Sequence, residues 1–321
     1  MASLSKDIAV QATSSHTYTA NFQEQWCIGF VPHGGYISSC FMQVATTHFA
    51  TTLAKQKQPH TMSMHLEFVR RTQIGPAVFT VKDVKLGRAT STIHVTLSQN
   101  GQDEVLAYMT NSDIAGAQGV SFDTEFSLHP STTMPTSLDA MANGNDPYWQ
   151  ERPNMPFTEF RKAARQVQFF FPNEGQQHAS LADQWIKFKS GERFTNASLG
   201  FVADMFSQIP ENYRAGKDVY SPKIEKEGSV AKANEESKKN GWSNFWYPTL
   251  LLNLDVKKVL PEEGIEFIFS RTSVKQVKNG RYDIEVVILD ETGDLVALSH
   301  HVCMILSSER NTSKRKPQGK L

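Results

Sequence analysis

Two adjacent glycines, Gly34 and Gly35, stand at the start of a segment with helical character, Ile37 to Leu53, that contains no Gly or Pro. The first N–H groups of a helix have no partner within it and lie at its positive end. Glycines there let an anion, or the developing oxyanion of an ester or thioester under attack, approach the bare backbone. The imidazole of His33 could serve beside them as a general acid or base. A tight turn with a loop histidine is the alternative interpretation.

Other residues with chemical potential lie in strand-like segments. Glu67 and Asp255 occur in similar sequence contexts, where each carboxylate could activate water or pair with a nearby arginine. Adjacent residues of a strand point to opposite faces, so only one ring of His300-His301 can point inward. That ring would be either catalytic or a hydrogen-bonded core residue.

Binding residues can also be proposed from the sequence. Arg70 and its neighbour Arg71 could contact the phosphates of a coenzyme A carrier, or they could be solvated residues at a strand end. Trp246 and Tyr247 belong to an aromatic cluster that could form the wall of an apolar pocket. Ordinary core packing is the other interpretation of that cluster.

Several reaction classes lack their sequence signatures. The chain has no Gly-x-Ser-x-Gly, no Gly-x-Gly-x-x-Gly or phosphate loop, and no His-Glu-x-x-His or Cys-x-x-Cys. These absences argue against an α/β-type serine hydrolase, a nucleotide-driven reaction and a metal site. We therefore expect no cofactor.

Composition limits the partners and the compartment. Lys and Arg total 33 and Asp and Glu total 33, so the formal net charge is +0 and neither a nucleic-acid nor a membrane partner is indicated. The three cysteines fit a reducing compartment. We predict a cytoplasmic protein. Gly319-Lys320-Leu321 differs from the peroxisomal Ser-Lys-Leu address at its first position and leaves the peroxisome as the alternative.

An internal repeat predicts the architecture. The block His65 to Arg70 is similar to Asn253 to Lys258, and Gly87-Arg88 is similar to Gly280-Arg281 at nearly the same spacing. Thr90 to Leu97 alternates as a half-buried strand does, and Gln99-Asn100-Gly101 is typical of a hairpin turn. Each copy is preceded by a predicted helix, the first from Gly35 to about Leu53 and the second from about Thr195 to Ser207. The prediction is an α+β double hotdog, in which each copy is a long helix wrapped by an antiparallel sheet.

Sequence blocks in both halves resemble a known family. They are Gly29 with Pro32-His33-Gly34-Gly35-Tyr36, His65-Leu66-Glu67-Phe68 with Arg70-Arg71, Val84 to Arg88, Asn253 to Lys258, Asn279-Gly280-Arg281 and Leu298 to His301. The chain resembles the thioesterase-like superfamily of double-hotdog proteins related to acyl-CoA thioesterase II, and most of all a fungal branch of it. The resemblance covers roughly residues 20 to 307.

The resemblance implies a site in which an Asp, a Thr and a Gln of the second half hold a water near the first helix start. Thr272 takes the position of the Thr, His301 that of the Gln, and the Asp position falls on Leu251. Either Asn253 or Asp255 therefore supplies the polar group, or the hydrolytic machinery is altered. The candidate catalytic residues are His33, Gly34, Gly35, Asn253, Asp255, Thr272 and His301. The candidate substrate-binding residues are Tyr36, Glu67, Arg70, Trp246 and Tyr247.

The leading functional hypothesis is hydrolysis of acyl-CoA or acyl-carrier thioesters at one oxyanion site, the first helix N-terminus. The alternatives are a non-hydrolytic hotdog enzyme (a dehydratase, isomerase or cyclase) acting on a polyketide-like molecule, and a non-catalytic acyl-binding protein. A homodimer is left open by the sequence. The expected organisation is an N-terminal hotdog at 1–114, a linker at 115–156, a C-terminal hotdog at 157–307 with an insertion at 214–240, and a disordered tail at 308–321.

Overall fold

The computed structural model describes residues 2–215, 220–221 and 245–313. Most of the insertion predicted at 214–240 and the C-terminal Gly319-Lys320-Leu321 lie outside the described residues. No helix within the described ranges combines the length and the apolar character that a membrane crossing requires.

The first half is built around helix α2, Gly34–Ala50, which follows the short helix α1, Leu4–Asp7. The predicted alternation of Thr90 to Leu97 is confirmed, because every second residue of that strand is buried. The Asn100-Gly101 turn is confirmed too, with φ of 52° and 72°, the left-handed backbone that Asn-Gly hairpins adopt. The strands are β1 Gln11–Ser14, β2 Thr17–Phe22, β3 Cys27–Ile28, β4 Val31–Pro32, β5 His60–Phe68, β6 Gly75–Lys85, β7 Thr90–Gln99 and β8 Gln102–Ser112.

The second half repeats the plan with more strands and shorter helices. Its helices are α3 Leu138–Ala142, α4 Leu199–Asp204, α5 Ile209–Ala215 and α6 Glu309–Thr312. Its strands are β9 Trp149–Glu151, β10 Val167–Pro172, β11 Leu181–Phe188, β12 Phe245–Trp246, β13 Thr249–Val256, β14 Ile268–Ser273, β15 Val277–Lys278, β16 Arg281–Leu289, β17 Leu295–Met304 and β18 Leu306–Ser307.

The two halves share one antiparallel sheet in the order β1-β2-β6-β7-β8-β5-β13-β17-β16-β14-β11-β10-β9. They join edge to edge where β5 pairs with β13. His65 and Asn253, which hold equivalent positions in the repeat, lie opposite one another there, and the His65 Nδ1–H donates to Asn253 Oδ1 at 2.6 Å. The double-hotdog prediction is confirmed.

The second central helix is shorter than predicted. A capped turn at Asn196–Ser198 leads into α4, and the helix ends at Asp204 rather than Ser207. The Gln184 side chain accounts for this end, because its amide donates to the Met205 carbonyl at 2.7 Å and accepts from the Ser207 N–H at 3.3 Å. These bonds replace the helical ones that the chain would otherwise make.

The two central helices touch through glycine. A Cβ on Gly35 would lie 2.8 Å from the Phe201 carbonyl oxygen, and a Cβ on Gly200 would lie 2.7 Å from the Ser39 backbone nitrogen. The Ser39 hydroxyl accepts a hydrogen bond from the Phe201 N–H at 2.8 Å. Gly35 is thus in contact with the other half of the protein, and a side chain there would force the helices apart.

Two segments that were expected to be irregular contain structure. The predicted linker, 115–156, includes α3 and β9, and β9 pairs with β10 at the edge of the second-half sheet. The start of the predicted disordered tail forms α6. Asn311 fixes this helix, because its side chain accepts from the Phe30 N–H at 3.0 Å and donates to the Ile28 carbonyl at 2.8 Å.

Candidate active site

A cavity of about 500 Å³ lies between the start of α2 and the second half of the chain. His33 and Gly34 line it from the first half, and Asp204, Thr249 and Cys303 line it from the second. Most of its remaining surface is apolar and aromatic, as expected for a pocket that binds a small organic group. Its apolar lining includes Ile28, Val31, Phe68, Phe160, Phe206, Trp246 and Leu306.

Asp204, the last residue of α4, is the carboxylate of this site. It is only 8% exposed, and its Oδ2 accepts a hydrogen bond from the Gly35 N–H at 2.7 Å. Its Oδ1 accepts from the Thr249 hydroxyl at 3.3 Å. A buried carboxylate at a helix N-terminus is favoured by the helix dipole and by the unpaired N–H groups. The α2 N-terminus therefore holds an anion supplied by the protein itself.

His33 is oriented by the backbone of the same aspartate. Its Nε2 lies 3.0 Å from the Asp204 carbonyl oxygen, which can only accept, so Nε2 carries the proton. Nδ1 of His33 is buried and has no hydrogen-bond partner among the described residues. Burial lowers the pKa of His33, against the opposing effect of Asp204. The ring is therefore neutral near pH 7.

His301 lies behind Asp204, with its Nδ1 3.6 Å from Oδ1 of the carboxylate. The Ser299 hydroxyl donates to the Asn253 carbonyl at 2.5 Å. The Ser299 hydroxyl oxygen also lies 2.8 Å from His301 Nε2. Ser299 therefore accepts from an Nε2–H, and Nδ1 of His301 is unprotonated. Burial lowers the pKa of His301 to about 4, although Asp204 acts in the opposite direction. His301 is thus a neutral neighbour of the carboxylate.

Cys303 does not supply a nucleophile. Its sulfur lies 3.6 Å from the Thr249 hydroxyl oxygen, inside the site. Burial raises the pKa of the Cys303 thiol to about 12, so the thiolate needed for attack is scarce at neutral pH.

The first backbone N–H of α2 belongs to a residue that lines the cavity. Gly34 is the first residue of α2 and lines the cavity, and no described residue accepts from its N–H. The next amide, that of Gly35, is occupied by Asp204. An oxyanion in the cavity can therefore receive a hydrogen bond from Gly34, close to a carboxylate that can accept a proton.

The structure brings together about half of the residues proposed from the sequence. The cavity is lined by His33, Gly34, Arg70, Trp246 and Tyr247. Gly35 and His301 do not line it, but each is next to Asp204.

The other proposed residues lie elsewhere. Asn253 and Asp255 alternate with the buried Leu252 and Leu254, so their side chains are on the outer face of the sheet. Asp255 pairs there with Lys257, and the half-exposed Glu67 lies near His65. Tyr36 and Thr272 are fully buried away from the cavity lining: the Tyr36 hydroxyl donates to the Asp7 carbonyl at 2.7 Å, and Thr272 is the second-last residue of β14.

Asp204 is a site residue that the sequence analysis did not propose, although its sequence context indicates one. It is the one charged residue in the otherwise apolar run from Leu199 to Phe206. A lone carboxylate in a buried helix needs hydrogen-bond donors close by, and this need marks it as a candidate site residue. The hydrogen-bond donors to Asp204 could not be predicted from the sequence, because Thr249 and Gly35 come from distant parts of the chain.

Comparison with known proteins agrees with this architecture. A solved hot dog fold protein of unknown function from Alicyclobacillus acidocaldarius superposes with a TM-score of 0.69 at 12% identity, over 96% of this chain and 99% of that one. An acyl-CoA thioesterase II, TesB2, from Mycobacterium marinum superposes with a TM-score of 0.60 at 13% identity, over 95% and 98%. Similarities at these identities concern the fold.

Sequence relatives identify the family. The acyl-CoA thioesterase N-terminal domain matches residues 22–112, and the acyl-CoA thioesterase C-terminal domain matches residues 135–305. The thioesterase-like protein TwmA of Talaromyces wortmannii is 35% identical over 327 residues, which cover 95% of this chain and 92% of TwmA. The domain matches and this relative show that the chain belongs to the acyl-CoA thioesterase family.

Proposed function

We propose that this protein hydrolyses acyl thioesters of coenzyme A or of a carrier protein, with Asp204 as the general base. The observation that carries the proposal is the buried Asp204 carboxylate, held by the Gly35 N–H and Thr249 at the wall of an apolar cavity. This arrangement fixes a proton acceptor beside the free N–H of Gly34, which is the pair of groups that attack by water on a thioester needs.

The steps follow from that geometry. Asp204 takes a proton from a water molecule as the water oxygen bonds to the thioester carbonyl carbon. The carbonyl oxygen becomes an oxyanion, which accepts from the Gly34 N–H at the positive end of α2. When the carbon–sulfur bond breaks, the thiolate leaves and is protonated by the carboxylic acid of Asp204. The products are a carboxylic acid and a thiol.

The neutral histidines support this assignment of roles. His301 presents an unprotonated Nδ1 to Asp204 and is without positive charge near pH 7, so it does not neutralise the carboxylate. His33 uses its single ring proton on the Asp204 carbonyl oxygen. His33 therefore holds the Asp204 backbone in place, and the two neutral rings leave the carboxylate as the group that accepts a proton.

The substitution Asp204→Asn tests the proposal. The amide oxygen of Asn can still accept from Gly35, but the side chain can no longer take a proton. We expect thiol release from a panel of acyl-CoAs to fall by roughly 10²–10⁴ in kcat. Asp123→Asn, an exposed change of the same kind, is the matched control. If Asp204→Asn retains the wild-type rate, or if the wild-type protein releases no thiol from any acyl thioester, the proposed function is wrong.

A further inference from the structure

The cavity contains a buried cation that the hydrolytic mechanism does not use. Arg161 is 9% exposed and lines the cavity. Its Nη1 donates to the Tyr220 hydroxyl oxygen at 2.8 Å. Its Nη2 is buried without a hydrogen-bond partner among the described residues, since Glu211 Oε1 lies 3.6 Å away, beyond hydrogen-bond reach. A buried guanidinium N–H without an acceptor is costly, so this N–H favours an acceptor beyond those that the described residues supply.

The charge of Arg161 is already balanced. Glu211 is 2% exposed and lies next to the guanidinium. The Tyr247 hydroxyl donates to Glu211 Oε1 at 2.7 Å, which further stabilises the carboxylate. Burial raises the pKa of both Tyr220 and Tyr247, so the two phenols are neutral. A second anion at Arg161 would therefore be repelled by the Glu211 carboxylate that already lies at the same guanidinium. The acceptor that fits is a neutral oxygen.

A second donor borders the same cavity. The Tyr282 hydroxyl donates to Gln208 Oε1 at 3.1 Å, and this bond fixes the amide with its nitrogen free. No described residue accepts from that nitrogen, and both Gln208 and Tyr282 line the cavity. The same cavity is also lined by Phe160, Phe206 and Trp246. Arg161 and Gln208 are thus two polar donors on the wall of a mainly apolar cavity.

We propose that the acyl group of the substrate carries a neutral oxygen acceptor (a ketone, ester or hydroxyl oxygen) along its chain, and that this oxygen accepts from Arg161 Nη2, assisted by the Gln208 amide. The inference rests on the proposed thioesterase function and specifies its substrate class. A chain of methylenes alone would fill the cavity but leave both donors unpaired. Sites built to hydrogen-bond a substrate oxygen reject analogues that lack it far more strongly than apolar pockets discriminate by size.

The test compares matched acyl chains on the wild-type protein. Decanoyl-CoA is compared with a series of decanoyl-CoAs that carry one ketone at successive carbons from C5 to C9, and with the chain that ends in a carboxylate. We expect at least one ketone position to raise kcat/KM by about 10-fold or more over decanoyl-CoA, and the carboxylate to give no such gain. Values within about twofold for all ketones, or a preference for the carboxylate, would overturn the inference.

A paired variant assigns the effect to Arg161. Arg161→Met combined with Glu211→Gln removes both charges, so neither is left buried alone. The ketone-to-decanoyl ratio of kcat/KM should fall toward one in this variant. The ratio should be unchanged in the control variant Arg165→Met with Glu159→Gln. This variant also removes an Arg–Glu pair, but Arg165 is half-exposed, Glu159 is exposed and neither lines the cavity. A ratio that survives the Arg161 variant would contradict the assignment.

Binding separates this inference from the hydrolytic proposal. The dissociation constants of the same acyl-CoAs are measured by calorimetry on Asp204→Asn protein, which requires no turnover. Suppose that hydrolysis depends on Asp204 but the ketone-bearing and plain decanoyl chains have equal kcat/KM and equal affinity. This result would refute the oxygenated substrate and leave the thioesterase proposal intact. A clear ketone preference in affinity, without hydrolysis by the wild-type protein, would support the acyl class and refute the thioesterase.

Discussion

The Asp204 carboxylate at the end of the second-half helix α4 accepts a hydrogen bond from the Gly35 N–H at the start of the first-half helix α2, at 2.7 Å. The bond joins two residues separated by 169 positions in the chain. One half thus supplies the positively polarised helix end and the other supplies the anion it holds. The candidate site exists only when both halves are packed together.

Thr249 should matter for catalysis more than for folding. Its hydroxyl is the donor to Asp204 Oδ1, so Thr249→Val removes the bond that orients the general base without changing the side-chain shape. A hydrogen bond to a charged group contributes about 1.5–3 kcal/mol, so we expect kcat to fall roughly tenfold to a hundredfold. Thiol-release assays measure it. Thr92→Val, on the partly exposed strand β7, is the matched control, and equal activity of the two variants would exclude the role of Thr249.

His301 should make the protein less stable in acid. Its pKa is about 4 in the folded protein because of burial and near 6.5 when unfolded, so the unfolded chain binds more protons between these values. Stability is therefore present above pH 6.5 and is lost as the pH falls toward 4, by on the order of 3 kcal/mol for this group. Urea unfolding of His301→Gln at pH 7.5 and 4.5 should show a smaller loss than the wild type.

The exposed neighbour His300 gives the control for that experiment. His300→Gln should keep most of the wild-type difference between the two pH values, because its ring is in solvent on the opposite face of β17 and burial remains the largest cause of the low His301 pKa. A residual loss should persist in His301→Gln, since burial also lowers the pKa of His33. Identical pH dependence in both variants would contradict the buried neutral state of His301.

A side chain at Gly35 should lower the stability of the fold rather than act only on catalysis. From the sequence, Gly35 was expected to leave the backbone open to an approaching carbonyl. The structure instead places a Cβ at Gly35 2.8 Å from the Phe201 carbonyl oxygen and 2.9 Å from that of Gly200. Gly35→Ala should therefore lower the free energy of unfolding by about 1–3 kcal/mol, measured in urea.

Gly119→Ala is the control for that change, because a Cβ at Gly119 meets no heavy atom within 4 Å. It should leave stability near the wild-type value. If Gly35→Ala were as stable as Gly119→Ala yet inactive, the direct approach of substrate to Gly35 would be the better explanation.

The outer-face residues Asn253 and Asp255 should be dispensable for turnover. Their side chains point away from the cavity, and Asp255 pairs with Lys257 in a half-exposed position. Asp255→Asn and Asn253→Ala should keep kcat/KM within about twofold, since changes distant from the site remove no bond made in the transition state. A loss above tenfold in Asp255→Asn, with unchanged unfolding, would restore the sequence-based assignment of a catalytic role.

The local elements and their repetition follow from short-range patterns in the sequence. The alternation in Thr90 to Leu97, the Asn100-Gly101 turn and the Gly- and Pro-free run after Gly35 each specify an element through backbone preferences that act over a few residues. Because these elements recur in the same order, the repeat also predicted two copies joined into one sheet. The pairing of His65 with Asn253 is a direct consequence of that repeat.

Only the tertiary structure decided which side chains meet. The sequence and its family resemblance led to Gly35 and His301, but also to Thr272, Asn253 and Asp255. Folding instead placed Asp204 and Thr249, which the sequence had not indicated, beside Gly35 and His301. The reason is geometric: a one-residue change in strand register reverses the face a side chain points to, and a local break such as the one Gln184 imposes after α4 sets where a helix ends. Such contacts between residues far apart in the chain depend on packing of the whole sheet, which no local pattern encodes.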